Sequence, residues 1–555
     1  MGRFKTDLLP VILITALSVA IYLSALPNDF LHDDVDQIVK NPWLADLGNI
    51  PKVFFSSVWS FLKEKVTSNY YRPMMHVIYM LDYRLFGLDP WGFHLTSIVI
   101  NAANACMLFF LTRRLILDHD AEREILDFNS ATLASLSAAM LFTAHPVHTE
   151  SVAWAASIPE LSFSFFFLIS FYFYIRFQAG DGPRSLFYAL SVFSFFVSTF
   201  CKEPALLLPL LFLSYDFFLR REPVRPFLPW ILRYAPYAIA GFVYIGMRVY
   251  ALSGFAPREP AHFITKYEAF LNVFPLVFDY FKALAWPVSL NFFHTFKAVH
   301  SAFEPRTIVG IAFTAALVIA MFLLSRRRRL TLFALLWIII PLLPSFYIEG
   351  LGRNTFAERY LYLPTAGFTL VIAMGIVGAL LHLRGRGGRV FVILIVLVAT
   401  ALYSAATYRR NFVYRNELTL WADTVKKSPD NGFVHMNVGI AYAKHGDDDS
   451  AIAEYEKALE SVYLEADAAL TLFNMANAYQ RKGMSDEAIH YYLRTVAVDP
   501  AYIDAYNNLG GVYALRDDID SAIACLRKAL EIQPDHEQAR LNLERALALK
   551  AGSTP

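Results

Sequence analysis

Cysteine and charge are both scarce in this chain. Its 555 residues hold only three cysteines, Cys106, Cys201 and Cys525, with no C-x-x-C pair and no zinc-like spacing, so neither a disulfide framework nor a structural metal is expected. Charged residues make up 17% and nearly cancel, to +1. That balance excludes a nucleic-acid partner, because neutralising phosphates takes a basic surplus. Neither G-x-x-x-x-G-K-[ST] nor G-x-G-x-x-G after a strand occurs, so a nucleotide or nucleotide-sugar site in a soluble domain has no support. What is abundant is apolar: 56% hydrophobic residues, 48 Phe and 30 Tyr, with a mean hydropathy of +0.40. These are the values of a polytopic membrane protein.

A membrane span needs about 20 apolar residues. Leu8 to Leu26 is longer than a typical signal core and is followed by Pro27-Asn28-Asp29 rather than a cleavage pattern, so it reads as a retained first span with Arg3 and Lys5 on the cytoplasmic side. Further apolar runs follow at Phe93 to Leu111, Ala131 to Thr143, Leu161 to Phe177, Leu186 to Phe200, Ala205 to Leu219, Pro229 to Val249, Val309 to Leu324, Leu330 to Tyr347, Leu361 to Leu381 and Val390 to Thr407. Alternate loops carry Arg113 and Arg114, Arg176 and Arg184, Arg220 with Arg221 and Arg225, Arg326 to Arg329, and Arg384 with Arg386 and Arg389. All of these clusters fall on one side if Tyr267 to Pro287 does not cross fully. The expectation is therefore about eleven crossings plus a re-entrant or interfacial segment near 267–287, N-terminus cytoplasmic and C-terminus outside. An ordinary twelfth span with one exception to the positive-inside rule is the competing reading.

In this orientation the boundary His, Asp and Glu residues gather outside, in HDDVD (His32 to Asp36), YYRPMMH (Tyr70 to His76), HPVHTE (His145 to Glu150), CKEP (Cys201 to Pro204) and RNTFAERYLYLP (Arg353 to Pro364). Ionisable groups at a bilayer edge are costly unless they face water, a cavity or each other, so clustering on one side points to a shared site. A channel or transporter would place them nearer the midplane.

After Thr407 the chain becomes charged and alanine-rich. NVGIAY, NMANAY and NLGGVY align at Gly439, Ala476 and Gly510, spaced 37 and then 34 residues, with Ala451, Ala488 and Ala522 twelve residues further on. Pro429, Pro500 and Pro534 sit at the unit boundaries. The longer step reflects extra residues around SVYLEA, where Tyr463 replaces the closing proline. This is the pattern of tetratricopeptide repeats, in which small positions let paired helices approach and prolines stop each second helix. The expected division is a membrane domain over 1–410 and a repeat domain over 411–555. The repeat domain holds about three repeats over 431–534, a leading helix at Glu417 to Ser428 and a cap at Glu537 to Lys550. Asn437, Asn474 and Asn508 share one position and could form an amide ladder for a peptide; packing asparagines are the plainer reading.

The ordered set of an Asp-Asp in the first outward loop, YRP, HPVHTESVAW followed by Glu-Leu, CKE, ERYLYLP and terminal repeats resembles the transmembrane-and-tetratricopeptide-repeat family and its bacterial relatives. The resemblance covers nearly the whole chain. It implies an all-α, GT-C-type membrane glycosyltransferase of the protein O-mannosyltransferase type, taking a sugar from a polyprenyl-phosphate carrier on the non-cytoplasmic face. Where relatives are expected to read Gly-Arg before Glu-Leu, this chain has Ser157-Ile158-Pro159, so any role of that arginine is lost or moved.

Such transfer needs a base for the acceptor and positive charge for the departing phosphate. Asp33 and Asp34 are the candidate bases; adjacent acids in an extended loop point to opposite sides, so one should face the substrate, and the resemblance favours Asp33. Arg72, Lys202 and Arg359 are the candidate phosphate cations, with interfacial anchoring or pairing to Glu203 and Glu358 as their plainer role. His145, His148, Glu150, Glu203, Glu358 and Tyr360 are candidates for contacts to the sugar or phosphate. Pro146 disfavours a helix presenting both imidazoles to a metal. The paired acids could hold Mg or Mn with phosphate oxygens, but a single-phosphate donor leaves less need for one. The expected partners are the lipid-linked donor, membrane lipids, and a protein acceptor captured by the repeats. A bacterial inner membrane with periplasmic repeats is favoured over an endoplasmic-reticulum membrane with lumenal repeats. A lipid or polysaccharide acceptor, and a non-catalytic scaffold, remain alternatives.

Overall fold

The computed structural model describes residues 2–62, 68–120, 128–222, 226–254, 264–348, 354–383, 385–461 and 465–552. Arg225, Arg353, Arg384 and Tyr463 lie outside the described residues. Two compact units divide the chain, Met1–Asn416 and Glu417–Pro555. Helix is the only regular secondary structure among the described residues.

In the first unit the long helices are α1 (Gly2–Tyr22), α2 (Pro73–Phe86), α3 (Pro90–Asp120), α4 (Phe128–Ala144), α5 (Ile158–Ala179), α6 (Arg184–Cys201), α7 (Phe227–Leu252), α8 (Lys266–Ala285), α9 (Pro305–Arg327), α10 (Arg329–Leu342), α11 (Pro364–His382) and α12 (Arg386–Asn411). Among the described residues nine helices are long and apolar enough to cross a membrane. The 17-residue α4 is apolar but shorter. The run from Ala205 to Leu219 is composite, a 3-10 turn, one short α-helix and a π-turn in succession. Helix α8, expected to be re-entrant, is not among the nine; it carries Glu268, Asp279 and Lys282 along its length.

Proline sets several helix starts. Pro73, Pro159, Pro305 and Pro364 occupy first-turn positions, where the missing N–H would have had no partner in any case. Polar groups join helices inside the apolar bundle. Asn101 on α3 donates to Ser18 Oγ of α1 at 3.0 Å, and Tyr362 Oη donates to Asn101 Oδ1 at 2.8 Å. Asn104 donates both to Tyr362 Oη and to the Leu161 carbonyl, each at 3.0 Å. These bonds tie the ERYLYLP segment to α1, α3 and α5, the kind of polar attachment that substitutes for a hydrophobic driving force in lipid. Helices α8 and α9 pack at Gly310, where a Cβ would lie 2.5 Å from the Phe274 carbonyl carbon.

The second unit is a stack of helices: α13 (Glu417–Lys427), α14 (Gly432–Lys444), α15 (Asp448–Glu460), α16 (Glu465–Arg481), α17 (Ser485–Val498), α18 (Ile503–Leu515), α19 (Ile519–Ile532) and α20 (Glu537–Lys550). Ala451, Ala476, Ala488 and Ala522 are fully buried between paired helices, as the repeat spacing requires.

Candidate active site in the membrane unit

The loop after α1 folds as a helical turn, not as the extended segment expected. Asp33 and Asp34 open a short helical stretch that continues through Val39, because Asp34 adopts φ −60° and ψ −38°. The two acids still diverge, now by helical rotation. Asp34 is fully buried and its carboxylate accepts from Leu31 N at 2.9 Å and from Ala156 N at 2.6 Å. Trp154 Nε1 donates to the Leu31 carbonyl at 3.3 Å. Asp34 thus fastens the loop to the turn that precedes α5. Asp33 keeps 38% of its side chain exposed, stands 3.5 Å from His32 Nε2, and lines a small cavity of about 80 Å3. His32 holds a positive φ of 47°, a conformation uncommon outside glycine, immediately before the acid pair.

The same cavity is lined by Arg72, Lys202 and Arg359, together with Glu160 and Tyr360. These five also line a larger cavity of about 430 Å3, whose far wall is apolar and includes Phe163, Leu206, Ile245, Pro341 and Leu363. Asp33, Glu160 and the three cations therefore share a continuous wall that runs from the exposed loop to an apolar recess between α5, α7 and α10. Each cation has an acidic neighbour. Arg72 Nη2 donates to Glu203 Oε2 at 3.3 Å, Lys202 Nζ to Glu160, and Arg359 to Glu150 through both its side chain and its backbone N, the latter at 3.0 Å. Tyr360 lies beneath two of them, with Lys202 Nζ 4.8 Å and the Arg359 guanidinium carbon 5.2 Å from its ring centre.

Burial lowers the Lys202 pKa to about 8, against the opposing pull of Glu160, with Arg72 and Arg359 pushing further down. Burial works to raise the Glu203 carboxyl, but Arg72 beside it holds it below its ordinary value.

Several sequence candidates do not reach this wall. His145 is fully buried; its Nδ1 accepts from Val147 N at 3.4 Å and its Nε2 donates to the Leu284 carbonyl at 3.0 Å, so both ring nitrogens are used within the fold. Burial lowers its pKa to about 4, which keeps it neutral. His148 is buried between Phe142 and Tyr362, each ring centre 4.4 Å away. Glu150 is buried behind Arg359 and positions it. Glu358 faces a different cavity, with Arg410 Nη2 at 2.8 Å and His294 Nε2 at 3.2 Å. No three His, Cys, Asp or Glu side chains converge as a metal site among the described residues.

In the repeats, Asn437 Nδ2 donates to the Phe433 carbonyl of its own helix at 2.7 Å, and Asn508 Nδ2 to Asn477 Oδ1 at 3.0 Å. Asn474 is half-buried. The amides of Asn437 and Asn508 are engaged within the solenoid.

Two wall residues were not singled out from sequence. Glu160, the acid of the quoted Glu-Leu, had no assigned role, although an acid at the start of an apolar helix is itself a signal. Arg248, inside the apolar α7, also lines the larger cavity and donates to the Asn69 carbonyl at 2.7 Å; an arginine inside a long apolar helix is a signal for the same reason.

Comparison with known proteins adds independent information. A tetratricopeptide-repeat family model matches residues 430–501 and 467–535. The Caenorhabditis elegans protein O-mannosyl-transferase F38B6.6 is 25% identical over 455 residues, 81% of this chain and 62% of that protein. The human protein O-mannosyl-transferase TMTC3 is 24% identical over 592 residues, 97% of this chain and 62% of that protein. The crystal structure of ArnT from Cupriavidus metallidurans bound to undecaprenyl phosphate covers 89% of this chain and 80% of its own, at 15% identity and a TM-score of 0.40. The chain spans about three-fifths of the length of these two curated relatives. By sequence, this repeat-bearing membrane protein is similar to the protein O-mannosyl-transferases that carry tetratricopeptide repeats.

Proposed function

We propose that the chain is a membrane glycosyltransferase that moves a hexose, mannose by resemblance, from a polyprenyl-phosphate carrier to a protein hydroxyl on the non-cytoplasmic face. The observation that carries this reading is the shared wall: Asp33 at the water-facing end, Arg72, Lys202 and Arg359 along it, and an apolar recess at the other end. A lipid-borne sugar presents these same three regions in that order: a hydroxyl-bearing ring, an anionic phosphate and a hydrocarbon tail.

In this mechanism Asp33 takes the proton of the acceptor hydroxyl as its oxygen bonds to the anomeric carbon. The bond from that carbon to the phosphate oxygen breaks, and its electron pair leaves with the phosphate. Arg72, Lys202 and Arg359 stabilise the charge that accumulates there, and a buried, pre-positioned cation is worth more than one in water. Glu160, Glu203 and Glu150 hold the three cations in place before the donor arrives. The repeats recruit the protein acceptor. Asp33 would be the residue to hold a divalent ion, which would supply Lewis-acid assistance to the departing phosphate.

Labelled polyprenyl-phosphate sugars and hydroxyl-bearing peptides test this directly. Purified protein should transfer the label, and Asp33→Asn should lower transfer by roughly 10²–10⁴-fold while donor binding persists. Removing Glu417–Pro555 should leave transfer to a short peptide and reduce transfer to a folded protein acceptor. No transfer across a panel of donors and acceptors, with repeats that still capture a partner, would point to a scaffold instead.

A further inference from the structure

A second cavity, of about 230 Å3, lies in the membrane unit apart from the donor wall. It is enclosed by one face of α8, the first turn of α9, the segment between them and the stretch that leads into Glu358. Consecutive residues separate the two sites: Arg359 lines the donor cavity and Glu358 the second one. Nothing in the proposed transfer uses this space.

Its wall carries charge of both signs. Arg306 Nη2 donates to Asp279 Oδ2 at 2.7 Å, and the fully buried Glu358 accepts from Arg410 and faces His294. Lys282 contributes a further set of donors. Each acid has a cation beside it, and Lys282 adds one positive charge beyond those pairs. Asp279, with 30% of its side chain exposed, offers carboxylate lone pairs beside the donors of Arg306 and Lys282, so one hydroxyl can both donate and accept there. At its rim Trp286 keeps 69% of its surface exposed. A flat aromatic face beside alternating donors and acceptors matches a sugar ring, which has apolar C–H faces and a polar edge. The volume is below the roughly 300 Å3 of sites for drug-sized ligands and suits one or two rings. A phosphate would lie against the Asp279 carboxylate, and a hydrocarbon chain would strip water from paired charges without replacing it.

We propose that this second cavity binds a neutral saccharide, a mono- or disaccharide, independently of the donor. The inference stands on the cavity's own geometry and does not require the transferase reading.

The test uses the full-length protein in lipid nanodiscs free of sugar-headed detergent. Methyl α-mannoside, methyl β-glucoside, methyl N-acetylglucosaminide and mannobiose are titrated by calorimetry and by saturation-transfer NMR. At least one should bind, and excess polyprenyl phosphate should not displace it. Trp286→Ala and Asp279→Asn should each weaken binding by roughly tenfold, with Trp286→Phe intermediate. Trp286 is mostly exposed, so an unchanged melting midpoint should show that Trp286→Ala removes a contact and not the fold. The proposal is overturned by absence of binding across the panel, by binding that Trp286→Ala leaves unchanged, or by displacement with polyprenyl phosphate.

Discussion

Asp33 and Asp34 are neighbours in sequence with different physical duties. The Asp34 carboxylate accepts from two backbone N–H groups, and bonds to a charged acceptor contribute about 1.5–3 kcal/mol each. Asp34→Ala should therefore lower stability by about 3 kcal/mol or more, read as a drop in thermal midpoint. Asp33→Asn, at a half-exposed position, should stay within about 0.5 kcal/mol of the parent protein while losing transfer. A scan that reported only activity would score the two alike; stability separates them.

Lys202 offers a second test at the same scale. Its folded pKa of about 8 lies below its ordinary 10.5, so the ammonium is present below pH 8 and is lost above it. Donor affinity should fall as pH rises through about 8, and Lys202→Arg should remove that fall because arginine stays charged. The effect on stability has the opposite sense. Between about 8 and 10.5 the unfolded chain binds the additional proton, so this group's contribution to stability rises with pH over that window. Measuring donor binding and unfolding over the same pH series distinguishes the two.

At the scale of elements, small residues control how the repeat helices meet. A Cβ on Gly439 would come within 2.5 Å of Tyr455 Cε1 and 3.1 Å of the Ala451 carbonyl, and Tyr455 is itself buried. Gly439→Ala should destabilise the repeats by about 1–3 kcal/mol through overpacking. Gly511, with nothing within 4 Å of its Cβ position, should respond in the other direction, gaining about 0.5–1 kcal/mol as alanine. Limited proteolysis of the full chain, followed in the Glu417–Pro555 region, reads both changes. Ion pairs between successive units, Arg481 with Asp448 and Lys550 with Asp520, each at 2.5 Å, join the end of one helix to the start of another. Their cations are exposed, and pairs at the surface contribute roughly 0–1 kcal/mol, so the buried alanines and glycines decide whether the stack forms.

For the whole molecule, the distribution of arginine gives a direct prediction of orientation. A reporter active only outside the cytoplasm should stay silent when joined after Arg328 and become active when joined within Glu417–Pro555. Silence at both positions would place the repeats inside and remove the proposed acceptor route. Such mapping also decides whether α8 crosses, because a full crossing shifts every later segment by one side.

Hydropathy, spacing and ordered motifs determined the helical class, the change of character after Thr407, the repeat period and the set of motifs that bring Asp33 and three cations to one wall. These features are legible because burial in lipid demands continuous apolar runs and because stacked repeats demand small residues at a fixed period. Which side chains face a cavity was decided only by the tertiary structure. Asp34 turned inward because two backbone N–H groups, one of them 122 residues away in sequence, needed an acceptor. His145 and His148 became interior packing once Leu284, Phe142 and Tyr362 closed around them. Glu358 and Arg359 were parted into separate cavities by a single 3-10 turn. A linear motif records which groups are available, whereas long-range partners, set by packing between distant helices, choose which of them remain exposed to a ligand.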